Sequence, residues 1–275
     1  MTSPHEKTLP SVQTGLDPRV PSSLKQIPVK IEIPEDTVCV FVSGSLVAGW
    51  GHTTSDVDLY VVTTTPAVIT PTTTTGLSLS AQPLPVVIQY APGGMRYDIE
   101  YWTMAQVDEL FGAVRGPGDG DDQAVGRPGY DDIDCFYRIS IGVALTGGAW
   151  LRAAKERLSK SVLPAILARL EFDEADNFVD DAVGLLQAGD QHSALLAARM
   201  ALGHAVDGYL YGRGSLSPAA KWRYRKLAAL PDPALAPDIF WRLETMRDLD
   251  PDDVRPWVEE VLRTCQFLMM EVDFS

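Results

Sequence analysis

The sequence predicts an α+β chain, in which a small module built on a mixed β-sheet is followed by an all-helical bundle. Three observations predict it: β-branched apolar runs confined to the first part of the chain, an abrupt glycine- and aspartate-rich break, and helical periodicity across almost all of the chain beyond that break. Residues 1–35 carry Pro4, Pro10, Pro18, Pro21, Pro28 and Pro34 with little periodicity, which reads as a loose arm ending in a short extended piece, Val29 to Ile33. Thr37 to Val42 is an apolar run stopped by Ser43, Gly44 and Ser45, and Val57 to Val62 is a second such run; both read as buried strands. Val86 to Tyr90 and Met95 to Trp102 flank the turn-forming Ala91–Gly94 and predict an antiparallel hairpin. The threonine-rich stretch between, Thr63 to Pro85, reads as a long loop or ragged edge.

Thr103 is placed to cap a helix running to Phe111. Gly116 to Asp132 has linker composition, and its aspartates lack both the spacing and the closing glutamate of a calcium loop. Helices are then expected at Ile133–Leu145, Trp150–Leu158, around Glu174–Gln187, Ser193–Tyr211, Pro218–Leu227, Phe240–Arg247 and Val254–Met270. The expected organisation is therefore an arm (1–35), a module (36–115), a linker (116–132) and a helical bundle (133–275).

With 275 residues, 45% of them hydrophobic and 22% charged, the chain has enough apolar material for one large domain or two modest ones. No run approaches the ~18 apolar residues of a membrane span, and Met1 to Lys7 lack a basic-then-apolar leader pattern, so a cytoplasmic protein without a membrane partner is expected. Cys39, Cys135 and Cys265 are too far apart for a zinc knuckle or a disulfide framework and read as buried thiols. A net charge of -14 repels a polyphosphate backbone, which argues against long nucleic acid and for a neutral or cationic small molecule.

Chemistry concentrates between Val42 and Val61. Asp56 and Asp58 alternate with Val57 and Leu59 at the head of a strand, so the two carboxylates project together while the apolar pair enters the core. Like charges that close are costly unless a cation lies between them, and hard oxygen ligands suit Mg²⁺ completed by phosphate oxygens. Gly44 permits close approach of backbone to a phosphate, and Ser45 offers a hydroxyl at the start of a short helical turn. Asp98 and Glu100 share one face of a later strand, with Tyr97, Ile99 and Tyr101 on the other.

Gly44-Ser45, a glycine-containing spacer and Ser55 to Leu59 (SDVDL) resemble the signature of the polymerase-beta-like nucleotidyltransferase superfamily. The resemblance implies transfer of a nucleoside monophosphate from an NTP, most simply AMP from ATP, to a small-molecule hydroxyl with release of pyrophosphate. It implies two Mg²⁺ ions held by Asp56, Asp58 and Asp98, with Gly44, Ser45 and Ser55 around the nucleotide. Asp98 is favoured as the third metal carboxylate, and Glu100 stands as the second candidate or as the base. Ala194 to Leu210, Gly212 to Gly214 and Ser217 to Leu227 resemble the helical bundle of antibiotic-type nucleotidyltransferases, which implies that Lys221 approaches the phosphates. Lys221, Arg223, Arg225 and Lys226 form the densest basic cluster of the chain.

Three other readings carry different chemistry. A nucleotide second-messenger synthase shares the same core motif, and a non-catalytic nucleotide-binding module predicts binding without pyrophosphate release. Arg199 and His204, an R-x4-H pattern on a helix, resemble the motif of HEPN ribonucleases, which would make His204 an acid/base for RNA cleavage. His52 reads equally as a phosphate contact or a loop cap, Trp50 and Trp102 as core or base-pocket walls, and His192 as exposed.

Overall fold

The computed structural model describes residues 33–69, 74–76, 84–91, 94–114 and 128–273; the arm up to residue 32 and residues 116–127 of the expected linker lie outside them. Two compact units divide the chain, with the boundary between Ser161 and Val162.

The first unit is built on a mixed sheet. β1 (Thr37–Ser43) leads directly into a single helical turn, α1 (Gly44–Val47), and then into β2 (Val57–Thr63). β3 (Thr74–Gly76), β4 (Leu84–Tyr90) and β5 (Arg96–Thr103) come next, and the sheet order is β3-β4-β5-β2-β1-β6, where β6 is Val143–Thr146. Only the β2/β5 pair is parallel, in the register Asp58↔Asp98 and Tyr60↔Glu100. The expected hairpin is present, with β4 antiparallel to β5. β3, inside the stretch read as a loop, adds an edge strand beside β4.

Period-two alternation sorts the sheet's faces. Val57, Leu59, Val61, Tyr97, Ile99 and Tyr101 belong to one apolar core with Val40, Val42, Val87 and Val143. The other set, Asp58, Tyr60, Asp98, Glu100 and Trp102, is the polar and aromatic set from which the candidate site is made. Tyr60 stacks on Phe41 with ring centroids 5.0 Å apart. α2 (Met104–Ala113) begins at Thr103 with a capping box, in which the Gln106 backbone N–H donates to the Thr103 hydroxyl and the Gln106 side chain accepts from the Thr103 N–H.

The reading of Ile133–Leu145 as one helix of the bundle is corrected. α3 (Tyr130–Ile141) starts inside the expected linker and stops at Gly142, whose ψ of 150° turns the chain extended. Val143–Thr146 then pairs antiparallel with β1. A short apolar run beside a helix has no periodicity of its own, and an open sheet edge with unpaired amides decides it as a strand. α4 (Gly148–Ser159) lies within the same unit, so the first unit extends some way past the expected boundary at residue 115.

The second unit is helical. α5 (Leu163–Ala188) is longer than the periodicity around Glu174 suggested and opens with Pro164 in its first turn. Gly189, at φ 82°, ends it, and Asp190 caps α6 (Gln191–Gly212) by accepting from the Ser193 N–H at 3.0 Å. Small residues on α6 (Ala194, Ala198, Ala201 and Ala205) are fully buried and bring its backbone close to its neighbours. A Cβ on Gly208 would lie 2.9 Å from the Phe172 ring, so that glycine lets α5 and α6 meet. The helix expected from Pro218 begins later: a 3₁₀ turn at Ala220–Trp222 precedes α7 (Arg223–Ala229). α8 (Pro237–Glu244) and α9 (Arg255–Met270) complete the unit, with Val258, Val261, Cys265 and Leu268 buried. Among the described residues no helix is long and apolar enough to cross a membrane. Cys39, Cys135 and Cys265 are all free and buried.

Candidate active site

Asp58 and Asp98 stand abreast at the start of two parallel neighbouring strands. Asp56 immediately precedes β2, and its charge raises the pKa of Asp58. The turn from β1 into α1 closes this end of the sheet. Gly44 holds φ 80°, and a Cβ there would fall 1.8 Å from Asp58 Oδ2 and 2.3 Å from Arg138 Nη1. A side chain is therefore excluded twice, by the left-handed backbone and by the carboxylate face it would cover. Ser45 contributes its carbonyl to the turn, accepting from the N–H groups of Trp50 at 2.8 Å and Gly51 at 2.9 Å. The Ser55 hydroxyl accepts from the His52 N–H at 2.9 Å, so it shapes the loop before Asp56. His52 Nδ1 lies 2.9 Å from the Thr54 hydroxyl, which makes His52 a loop cap.

Arginines that sequence reasoning did not single out balance the acids. Arg138, on α3, puts Nη1 2.7 Å from Asp58 Oδ2 and donates from Nε to Asp134 Oδ2 at 2.9 Å. The Nη1 contact is an ion pair without hydrogen-bond alignment, leaving a buried donor aimed at the carboxylate end of the sheet. The Ser43 hydroxyl donates to the Arg138 carbonyl at 2.9 Å and ties α3 to the end of β1. Arg96 grips Asp98 in a fork, Nε to Oδ1 and Nη2 to Oδ2 both at 2.6 Å. The i,i+4 spacing of Asp134 and Arg138 and the i,i+2 spacing of Arg96 and Asp98 are the signals that could have found these pairs.

Burial separates the carboxylates. Desolvation pushes Asp58 up to about 6, the Arg138 charge opposing it and the Asp56 charge adding to it. Glu100 is pushed up to about 7, again mainly by burial, with the Trp102 hydrogen bond opposing. Its carboxyl is enclosed: Tyr60 donates to Oε1 at 3.0 Å and the Trp102 indole to Oε2 at 3.2 Å. The Tyr60 hydroxyl also lies 3.4 Å from Asp134 Oδ2 and so links Glu100 to the Arg138 pair. Glu100 thus sits in a buried network one step behind Asp98, and Trp102 is a core residue serving it.

Among the described residues, no three ligating side chains are grouped closely enough to hold a metal ion in their present positions. In chemistry the donor set nevertheless fits a hard divalent cation. Asp56, Asp58 and Asp98 supply carboxylate oxygens only, burial and the neighbouring Asp56 charge disfavour the ionised form of Asp58, and Gly44 leaves the room that its carboxylate occupies.

The basic cluster of the second unit divides. Arg223 donates from Nε and Nη2 to Asp207 Oδ2 at 3.0 and 2.5 Å. The buried Lys226 ammonium donates to the Ser217 carbonyl at 2.9 Å and lies 3.5 Å from Asp207 Oδ1. Both are internal. Lys221 and Arg225 remain on the surface, flanking the Trp222 ring at 5.1 and 5.0 Å. Arg199 donates to Glu244 Oε1 at 2.9 Å, whereas His204 Nδ1 meets Glu171 Oε2 at 2.7 Å; His192 is exposed.

No family model matches the chain, and no curated protein sequence matches it. Among solved structures the chain is similar to a nucleotidyltransferase-like protein from Exiguobacterium sibiricum, at 15% identity and a TM-score of 0.47, over 86% of this chain and 70% of that one.

Proposed function

We propose that the chain is a divalent-metal-dependent nucleotidyltransferase that moves a nucleoside monophosphate, AMP from ATP in the simplest case, onto a hydroxyl of a small acceptor. One observation carries the reading: Asp58 stands in register with Asp98, next to Asp56, against a glycine turn whose missing side chain gives the Asp58 carboxylate its place. The resemblance of Gly44 to Leu59 to the superfamily signature points the same way.

Asp56 and Asp58 would hold the cations together with Asp98. Bound there, Mg²⁺ neutralises the leaving pyrophosphate and lowers the pKa of the acceptor hydroxyl. The chain's own residues do the rest. The acceptor oxygen attacks the α-phosphorus, the bond to the β-phosphate oxygen breaks and pyrophosphate departs. Arg96, gripping both oxygens of Asp98, sets that carboxylate's orientation beside the cations. Arg138 Nη1, ion-paired with Asp58 without an aligned hydrogen bond, would turn to the triphosphate once a cation takes its place on Asp58. Glu100, held by Tyr60 and Trp102, is the remaining carboxyl group of the strand and would take the hydroxyl proton. The acidic balance of the chain favours an acceptor carrying positive charge.

The test is pyrophosphate release and product mass with labelled NTPs, with and without Mg²⁺, across a panel of amine-bearing and neutral polyols. Transfer that requires Mg²⁺ and an acceptor, and that drops at least about a thousandfold in Asp58→Ala, is expected. A cyclic or oligomeric nucleotide formed without acceptor would reassign the site to a synthase. RNA cleavage that survives Asp58→Ala but not His204→Ala would move the activity to the helical unit. Unchanged pyrophosphate release in Asp58→Ala overturns the reading.

A further inference from the structure

The second unit has its own concentration of polar groups, and they surround a cavity of about 370 Å³ between α6, α7 and α8. Its charged wall is Arg199, His204, Arg223 and Glu244, and its apolar wall is Leu196 and Met200, both roughly half exposed. Gly203 forms the floor: a Cβ there would stand 2.9 Å from Arg223 Nη1, so the missing side chain is what admits the guanidinium.

The hydrogen bonds decide the sign of the ligand. Each carboxylate at the cavity already meets a partner: Glu244 accepts from Arg199, Asp207 from Arg223, and Glu171 contacts His204. The arginines keep donors in reserve. Arg223 gives Nε and Nη2 to Asp207, which leaves Nη1 over Gly203. Arg199 gives only Nη2 to Glu244. His204 gives Nδ1 to Glu171 and is held flat by Phe178, whose ring stacks 5.4 Å away at 16°, so Nε2 is its remaining hydrogen-bonding atom. Planar guanidinium forks with spare N–H groups match an oxyanion, and a volume in this range suits a small organic molecule.

We propose that this cavity binds a small molecule that carries an oxyanion, phosphoryl or carboxylate, on an apolar body. The oxyanion lies on Arg199 and Arg223 Nη1, and the body covers Leu196 and Met200 beside the His204 ring. The site is lined by residues of the second unit and does not depend on the transferase reading.

Calorimetric titration of the full chain with phenyl phosphate, phenylacetate and phenethylamine tests it. Saturable binding of at least one anion and none of the amine is expected, with affinity reduced about tenfold or more in Arg199→Gln and in His204→Gln and unchanged in Asp58→Ala. Phenyl phosphate binding alone identifies a phosphoryl ligand; equal binding of phenylacetate identifies any oxyanion. Both variants change partly exposed side chains, and circular dichroism verifies their folding. The proposal is overturned if neither anion binds, if the amine binds instead, if binding is indifferent to both variants, or if it disappears in Asp58→Ala. Sedimentation showing that a second copy of the chain covers Leu196 and Met200 also overturns it.

Discussion

Two clusters of charged side chains, one in each unit, are both largely shielded from water, yet they are balanced in opposite ways. At the end of the sheet, Asp56, Asp58, Asp98, Glu100 and Asp134 face only Arg96 and Arg138, and burial drives Asp58 to about 6 and Glu100 to about 7. Between α6 and α7, Asp207 faces two cations, Arg223 and the fully enclosed Lys226. An acidic excess that resists ionisation is a place where a cation gains energy by arriving. A carboxylate shared by two buried cations has nothing left to recruit, and it serves as a structural tie. The same residue types therefore mean chemistry in one unit and architecture in the other, and local charge balance is what separates them.

The largest expected effect breaks the tie. Asp207→Ala leaves Lys226 and Arg223 without their carboxylate and should destabilise the second unit by about 3–5 kcal/mol in chemical denaturation. Asp58→Asn, which removes a charge the fold already disfavours, should change stability by no more than about 1 kcal/mol while abolishing pyrophosphate release. Equal losses of stability in the two variants would erase the contrast.

Next comes pH. Glu100 titrates near 7 in the folded chain against an ordinary 4.5, so the folded state favours its protonated form. Its contribution is fully present below about pH 4.5 and is lost as pH rises through about 7, a swing on the order of 3 kcal/mol. Hydrogen exchange of β2 and β5 amides in the presence of chelator should show this decline, and Glu100→Gln should remove most of it, leaving the share due to Asp58.

Gly44→Ala places a Cβ at positive φ, costing about 1–2 kcal/mol before its overlap with Asp58 and Arg138 is counted. Thermal unfolding should register that loss together with a fall in activity. The smallest effect sharpens the comparison most directly. Arg138→Gln releases Asp58 and Asp134, so millimolar Mg²⁺ should raise the melting temperature of this variant more than that of the parent. An equal rise in both would show that Arg138 and the cation do not compete.

Period-two alternation was enough to put Asp56 with Asp58 and Asp98 with Glu100, because it depends only on neighbours in the chain. Thr103 as a cap and the Ala91–Gly94 turn were legible for the same reason, their chemistry being local. The end of α3 and the strand after it were not. Val143 to Thr146 is too short for either periodicity to declare itself, and its pairing partner lies about a hundred residues away in β1. Arg138 was missed on similar grounds. Its spacing from Asp134 is visible, but its approach to Asp58 depends on the docking of α3 at the end of β1, where the Ser43 hydroxyl donates to the Arg138 carbonyl.

From the sequence alone one can therefore tell which side chains of a strand share a face, where the first two strands, the hairpin and the Thr103 cap lie, and that a glycine turn precedes paired carboxylates. All of these arise from interactions between residues a few positions apart. The tertiary structure alone decided that Glu100 is enclosed while Asp98 is gripped by an arginine, that Arg138 confronts Asp58, and that Arg223 and Lys226 both meet Asp207. Burial and charge balance depend on which distant segments are brought together in a low-dielectric interior, and no local pattern carries that information.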